Sequence, residues 1–197
     1  MTIEPITVKK LHDQTGAGYL DAKKALEEAN GNFENAIVRL RERGISISKK
    51  KAFRKTGEGV IGTYQHFNGR VGVMLEVNCE SDSAAATDVF KELAHNLAMH
   101  TAAMNPLCIS RKDLLPELVN REREIAETQA RKDGKAESII PTIIENKLEK
   151  FYRDNCLLDQ PYFKEPEKSI NDILVNHIAL LRENITVKRF VRFEMGE

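Results

Sequence analysis

Two segments that alternate apolar and polar residues, GVIGTYQHF (59–67) and RVGVMLEVNC (70–79), are separated only by Asn68-Gly69, and this arrangement constrains the fold more than any other feature of the chain. An Asn-Gly pair suits a two-residue turn with positive φ at both central positions, so the segments are expected to fold back on each other as an antiparallel hairpin. In the second strand Val71, Val73, Leu75 and Val77 share one face, and that face should cover a core. The strand runs into EVNCESDSAAATDVFKEL (76–93), where small residues and one acid stand at a strand-to-helix junction. Ser81 or Ser83 can cap a helix there, and Asp82 suits its positive end. Phe90, Leu93, Ala94, Leu97, Ala98, Thr101 and Met104 then recur at helical spacing until Asn105-Pro106.

Upstream lies a pattern of three short helices. Thr7 can cap the first, which carries Val8 and Leu11, and the glycines of TGAG (15–18) break it. The second carries Leu20, Ala25, Leu26 and Ala29 and stops at Gly31; Asn32 can cap the third, with Phe33, Ile37 and Leu40, before Gly44. Residues 45–56, ISISKKKAFRKT, set Lys49, Lys50, Lys51, Arg54 and Lys55 around Phe53. They read either as a solvated linker or as a basic arm for an acidic surface or RNA phosphates. Downstream, a charged helix should run from Pro116 to Gly134 with Leu118, Val119, Ile125 and Ala126 on a thin apolar face. Another opens near Ser138 with Ile140, Ile144, Leu148 and Phe151. A third, capped by Ser169, carries Ile170, Ile173, Leu174, Ile178 and Leu181. The closing segment alternates, with Val187, Val191, Phe193 and Met195 set against Lys188, Phe190, Arg192 and Glu194, and reads as a strand. A hairpin and a late strand separated by helices imply an α+β fold: a helical head over 1–44, a basic linker over 45–56 and an α+β core over 57–197.

Thirty basic and thirty acidic side chains cancel, so no whole-molecule field recruits nucleic acid or anionic membranes, and no apolar run reaches membrane-spanning length. With no leader pattern at the N-terminus, a cytoplasmic protein is expected. Cys79, Cys108 and Cys156 form no CxxC pair and read as reduced thiols. Neither GxxxxGK[ST] nor GxGxxG after a strand occurs, so direct nucleotide binding is not expected; no HExxH or other ligand spacing calls for a metal or cofactor. The Ser81-Asp82-Ser83 triplet lacks the GxSxG elbow, which argues against covalent catalysis. The residues describe a binding protein, not an enzyme.

The blocks TGAGYLDAKKALEEANGNFENAI (15–37), EVNCESD (76–82), REREIA (121–126), KLEKFYRDNCLLDQPYFK (147–164) and VKRFVRFEMGE (187–197) resemble, in order, those of the elongation factor Ts family. The first is similar to a ubiquitin-associated (UBA-like) three-helix module. The resemblance is to the short bacterial form, without a coiled-coil insertion or extra C-terminal module. It implies guanine-nucleotide exchange on elongation factor Tu, by disturbance of that GTPase's Mg²⁺ and phosphate site, and it admits a homodimer. It also implies partner-binding roles for Thr15, Gly16, Ala17, Gly18, Tyr19, Leu20 and Lys23 in the head, and for Asp82 and Ser83 in the body. Asp82 matches the acid of the family's Thr-Asp-Phe-Val-Ala-Arg motif, but Ser83, Ala84 and Ala86 stand where the motif has Phe, Val and Arg. Losing a buried Phe weakens an interface by roughly tenfold to 150-fold. Two other readings follow: a nucleic-acid-associated module using the basic arm, and a binder of the GTPase that does not exchange nucleotide.

Overall fold

The computed structural model describes residues 3–196 and shows an α+β protein of eight α-helices, a three-stranded antiparallel sheet and a two-stranded hairpin among those residues. The helices are α1 (Pro5–Thr15), α2 (Tyr19–Glu28), α3 (Phe33–Lys51), α4 (Asp82–Ala85), α5 (Asp88–Met104), α6 (Pro116–Lys132), α7 (Ile140–Asn155) and α8 (Ile170–Leu181). Strands β1 (Glu58–Gln65), β2 (Val71–Cys79) and β5 (Thr186–Glu194) lie in the order β1-β2-β5, and β3 (Pro161–Tyr162) pairs with β4 (Glu165–Ser169). The chain divides into two compact units. One comprises the described residues through Gly62 with Glu76–Ala94 and Asp172–Lys188; the other comprises Thr63–Leu75, His95–Asn171 and Arg189 onward.

In the first unit, Val8, Leu11, Ala22, Ala25, Leu26, Ala29 and Ala36 form the core of the three-helix head, with Phe33, Ile37 and Leu40 against it. Helix α1 starts at Pro5 and not at Thr7, because proline's fixed φ and missing N–H suit the first helical position. Asn32 caps α3 as expected, its Oδ1 accepting from Asn35 N at 2.9 Å. Gly44 does not end α3. A Cβ there would lie 3.4 Å from Val175 Cγ1 and 3.8 Å from Ala179 Cβ on α8, ordinary contact distances, and the helix continues through the basic residues to Lys51. Arg41 pairs with Asp172 and Arg182 with Asp21, at 3.2 and 2.6 Å, which ties α3 to α8 and α2 to the segment after α8. Val77, Cys79, Phe90, Leu93, Ala94, Ile173, Leu174 and Ile178 are buried in the same unit.

In the second unit, Val73, Leu75, Leu97, Ala98, Leu157 and Ile170 are buried, and Ala126, Ala130, Ile140, Ile144 and Leu148 form the seam between α6 and α7. Helix α7 begins at Ile140 without a side-chain cap, so Ser138 does not open it. The hairpin turn also departs from the two-residue form. Gly69 has φ +69° but Asn68 stays at negative φ; Gly69 N donates to His66 O, and Asn68 Oδ1 accepts from Arg70 N, making a loop of five residues between strands. The closing segment forms a strand as expected, with Val187 half-buried and Lys188 exposed near its start. Val191, Phe193 and Met195 are exposed, Phe193 at 69%, whereas Phe190 and Arg192 are half-buried.

Candidate functional site

The strand-to-helix corner after β2 is pinned by side chains from about a hundred residues away. Glu183 accepts from Glu80 N and Ser81 N at 3.0 Å each through Oε2, and from Ser81 Oγ at 2.5 Å through Oε1. Ser81, not Ser83, is the cap: its Oγ accepts from Ala84 N at 3.2 Å. Thr87 restarts the helix, donating to Ala84 O and accepting from Phe90 N. With the Glu80, Ser81 and Ala84 N–H groups satisfied, the corner holds Asp82 and Ser83 exposed to solvent on the single turn α4.

Glu80 performs the second pinning. Its carboxylate accepts from Asn184 N at 2.6 Å and pairs with Arg54 at 3.1 Å and Lys51 at 3.4 Å. Burial alone would raise its pKa, but the Asn184 amide, Arg54 and Lys51 outweigh burial and hold the carboxyl below its ordinary range. Asn184 Nδ2 also donates to Arg54 O at 2.9 Å. Two of the five basic-arm cations are therefore engaged within the chain, with Lys51 half-buried, while Lys49, Lys50 and Lys55 are exposed and Phe53 is 95% exposed. The expected solvated linker is half helix and half docked strap.

In the head, Gly16 ends α1 at φ +69°, a conformation that favours glycine, and its N donates to His12 O at 2.8 Å. Gly18 has an ordinary φ, and a Cβ there would sit 3.7 Å from Asp21 Oδ2, so the backbone does not demand glycine. Thr15 Oγ1 donates to Leu11 O at 2.6 Å and accepts from Ala17 N at 3.3 Å. The turn is braced by His12, whose Nδ1 hydrogen-bonds Ala17 O at 2.7 Å and whose ring stacks on Tyr19 with centroids 4.1 Å apart. Leu20 does not join the core. It is 76% exposed, and Ala22 fills the inward position of that turn. Lys23 is exposed beside Glu27 at 3.9 Å.

All the candidate residues of head, arm and corner belong to the first compact unit. Glu80, Glu183, Asn184 and His12 were not singled out from sequence. Pairings across 102 to 104 positions leave no local pattern, although Glu80 does fall within the EVNCESD block. Among the described residues no cluster of three or more His, Cys, Asp or Glu could hold a metal, and no helix is long and apolar enough to cross a membrane.

Comparison with known proteins gives consistent matches across the whole chain. A family model described as Elongation factor TS matches residues 6–197. Elongation factor Ts of Thermotoga maritima is 50% identical over 197 residues, covering 100% of this chain and 98% of that protein. Those of Thermosipho melanesiensis and Thermoanaerobacter pseudethanolicus are each 50% identical over 190 residues, covering 96% of this chain and 97% and 93% of theirs.

Proposed function

Because the chain belongs to the elongation factor Ts family, we propose that it accelerates release of GDP from elongation factor Tu. The observation that carries this reading is the exposed Asp82-Ser83 turn, fixed from behind by Glu183 and by the Glu80 cluster, in the same unit as exposed Tyr19 and Leu20. The head, with Thr15, Gly16, Ala17, Gly18, Tyr19, Leu20 and Lys23, grips the nucleotide-binding domain of the GTPase. The corner then brings the Asp82 carboxylate toward the Mg²⁺ and phosphates. A fixed negative charge there opposes the phosphates and competes for the hard cation that bridges them. By linkage the exchange factor and GDP lower each other's affinity by the same factor, and excess GTP refills the site. The chain makes and breaks no bond, needs no cofactor and acts in the cytoplasm; the division into 1–44, 45–56 and 57–197 is one of labour: grip, strap and corner. Release of fluorescent GDP from the GTPase, followed with and without micromolar amounts of the chain, tests this. Acceleration is expected, and an unchanged rate would sink it.

A second reading has its own support. Ser83 supplies none of the apolar bulk of the family's Phe, which favours a binder that forms the complex without faster release; complex formation by calorimetry with no acceleration would establish that alternative. The RNA-arm reading is weakened by the engagement of Lys51 and Arg54 with Glu80. We also infer that the exposed Val191 and Phe193 on edge strand β5, with Met195 just beyond it, support a homodimer, to be read from mass by light scattering.

A further inference from the structure

The segment after α5 and the end of α7 meet as an isolated parallel bridge between Cys108 and Cys156, and their Sγ atoms are 3.6 Å apart. The backbone around them is locked: Leu107 N donates to Asn155 O at 2.8 Å, Leu157 N to Cys108 O at 2.9 Å, and Leu158 N to Ile109 O at 3.0 Å. Bridged strands lie about 4.7–4.9 Å apart, inside the range of about 4.4–6.8 Å between Cα atoms that a disulfide requires. The sulfurs need to close by roughly 1.5 Å to reach a bond of about 2.05 Å, which side-chain rotation supplies. Cys108 is partly exposed and Cys156 buried, so an oxidant reaches the first thiol and not the second. Cys79 lies in the other compact unit.

We propose that Cys108 and Cys156 are a reversible oxidation site that closes to an intrachain disulfide. The oxidant is a small disulfide such as oxidised glutathione. The Cys108 thiolate attacks one of its sulfurs and expels a thiolate; the Cys156 thiolate then attacks Cys108 Sγ and expels the second. Two protein thiols are oxidised by two electrons, one small disulfide becomes two thiols, and both protein protons pass to the departing thiolates. Burial, first among the causes, pushes both thiols up, that of Cys156 to about 12, so little thiolate exists at neutral pH and closure is slow and faster in base. The full chain is incubated with oxidised glutathione at pH 7 and 9, then denatured, alkylated and digested with trypsin. The expected product joins Glu92–Arg111 to Asp154–Lys164, two hydrogen atoms lighter than the separate peptides. Cys79 is alkylated, the rate is greater at pH 9, and dithiothreitol reverses the link. Cys108→Ser should abolish the joined peptide, and its circular dichroism reports whether it folds. A stable glutathione adduct on Cys108, a link between two chains, or two thiols still alkylatable at pH 9 would each overturn the proposal, and the wild-type peptide map decides even if the variant fails to fold.

Discussion

Replacing Glu183 by alanine removes the acceptor of three hydrogen bonds at once, two from backbone N–H groups and one from Ser81 Oγ. A part-buried donor left without its partner costs about 1–3 kcal/mol, and the half-exposed setting admits water, so the lower end applies to each. Three such losses give about 3 kcal/mol for Glu183→Ala. Glu183→Gln keeps the shape and one acceptor oxygen but loses the charge, which roughly halves the strength of such bonds, so about 1–1.5 kcal/mol is expected. Urea unfolding should show the midpoint falling in that order with an unchanged slope, since the surface exposed on unfolding is the same. The nucleotide-release assay should show a higher half-saturating concentration for the alanine variant, because a loosened corner must be ordered again on binding. An alanine variant as stable as the original, or a glutamine variant as damaged as the alanine one, would refute the account of the corner.

Ser83→Phe restores the bulk that the family motif carries, and the half-saturating concentration for GDP release should fall by roughly tenfold to 150-fold; weaker exchange would contradict the assignment of the corner. Gly62→Ala places a Cβ 2.4 Å from Ala94 O and 2.7 Å from Ala94 C, which are main-chain atoms of α5, so a loss of about 2–3 kcal/mol or more is expected by denaturant titration. Gly44→Ala meets only ordinary contact distances and gains helix propensity of about 0.8–1 kcal/mol, so its midpoint should hold or rise; a fall like that of Gly62→Ala would show that α3 and α8 are closer than described. His100 is fully buried, with Nε2–H donating to Gln160 Oε1 at 3.0 Å and Nδ1 accepting from Phe163 N at 3.4 Å, and burial lowers its pKa. The unfolded chain therefore binds a proton below pH 6.5 that the folded chain resists. Stability is full above 6.5 and falls as pH drops below it, by at most about 1.36 kcal/mol per pH unit. Melting at pH 7.5 and 5.5 should show the fall, His100→Gln should reduce it, and an equal fall in both would reject this origin.

Local pattern made the helices and strands legible because a periodic apolar face reports which side is buried. Val73, Leu75 and Val77 on β2 and Phe90, Leu93 and Leu97 on α5 lie inside for that reason. The same logic finds β5 but not its covered face: Val191 and Phe193 are equally apolar but exposed, since hydropathy cannot say whether the face of an edge strand is covered. It misled at Gly44 because a glycine is tolerated inside a helix as well as just after one, and here α3 runs on through it to Lys51. At the corner, Ser81 and Asp82 were readable as a cap and a first-turn acid. Glu183 and Asn184 were not, because a lone acid and amide after a helix have no local signature of a partner a hundred residues back.

The basic arm shows how a charge run acquires meaning from its pairing. If Lys49, Lys50, Lys51, Arg54 and Lys55 all met RNA phosphates, the affinity would fall with salt at a slope near −3.5 on logarithmic axes for a single strand, at roughly −0.7 per contact. Two of those cations are held by Glu80, which leaves three and a slope near −2, a weak and salt-labile attraction. Freeing the other two would strand the Glu80 carboxylate, itself only partly exposed, with the Asn184 amide alone. The pairing instead joins the end of α3 to the residue two positions before Asp82, so the head's last helix and the corner cannot move independently without breaking a charge cluster. Arm and corner are therefore one mechanical element. Under the proposed function, a grip on the head would reach Asp82 through Lys51, Arg54 and Glu80, a coupling suited to a corner without a wedge residue.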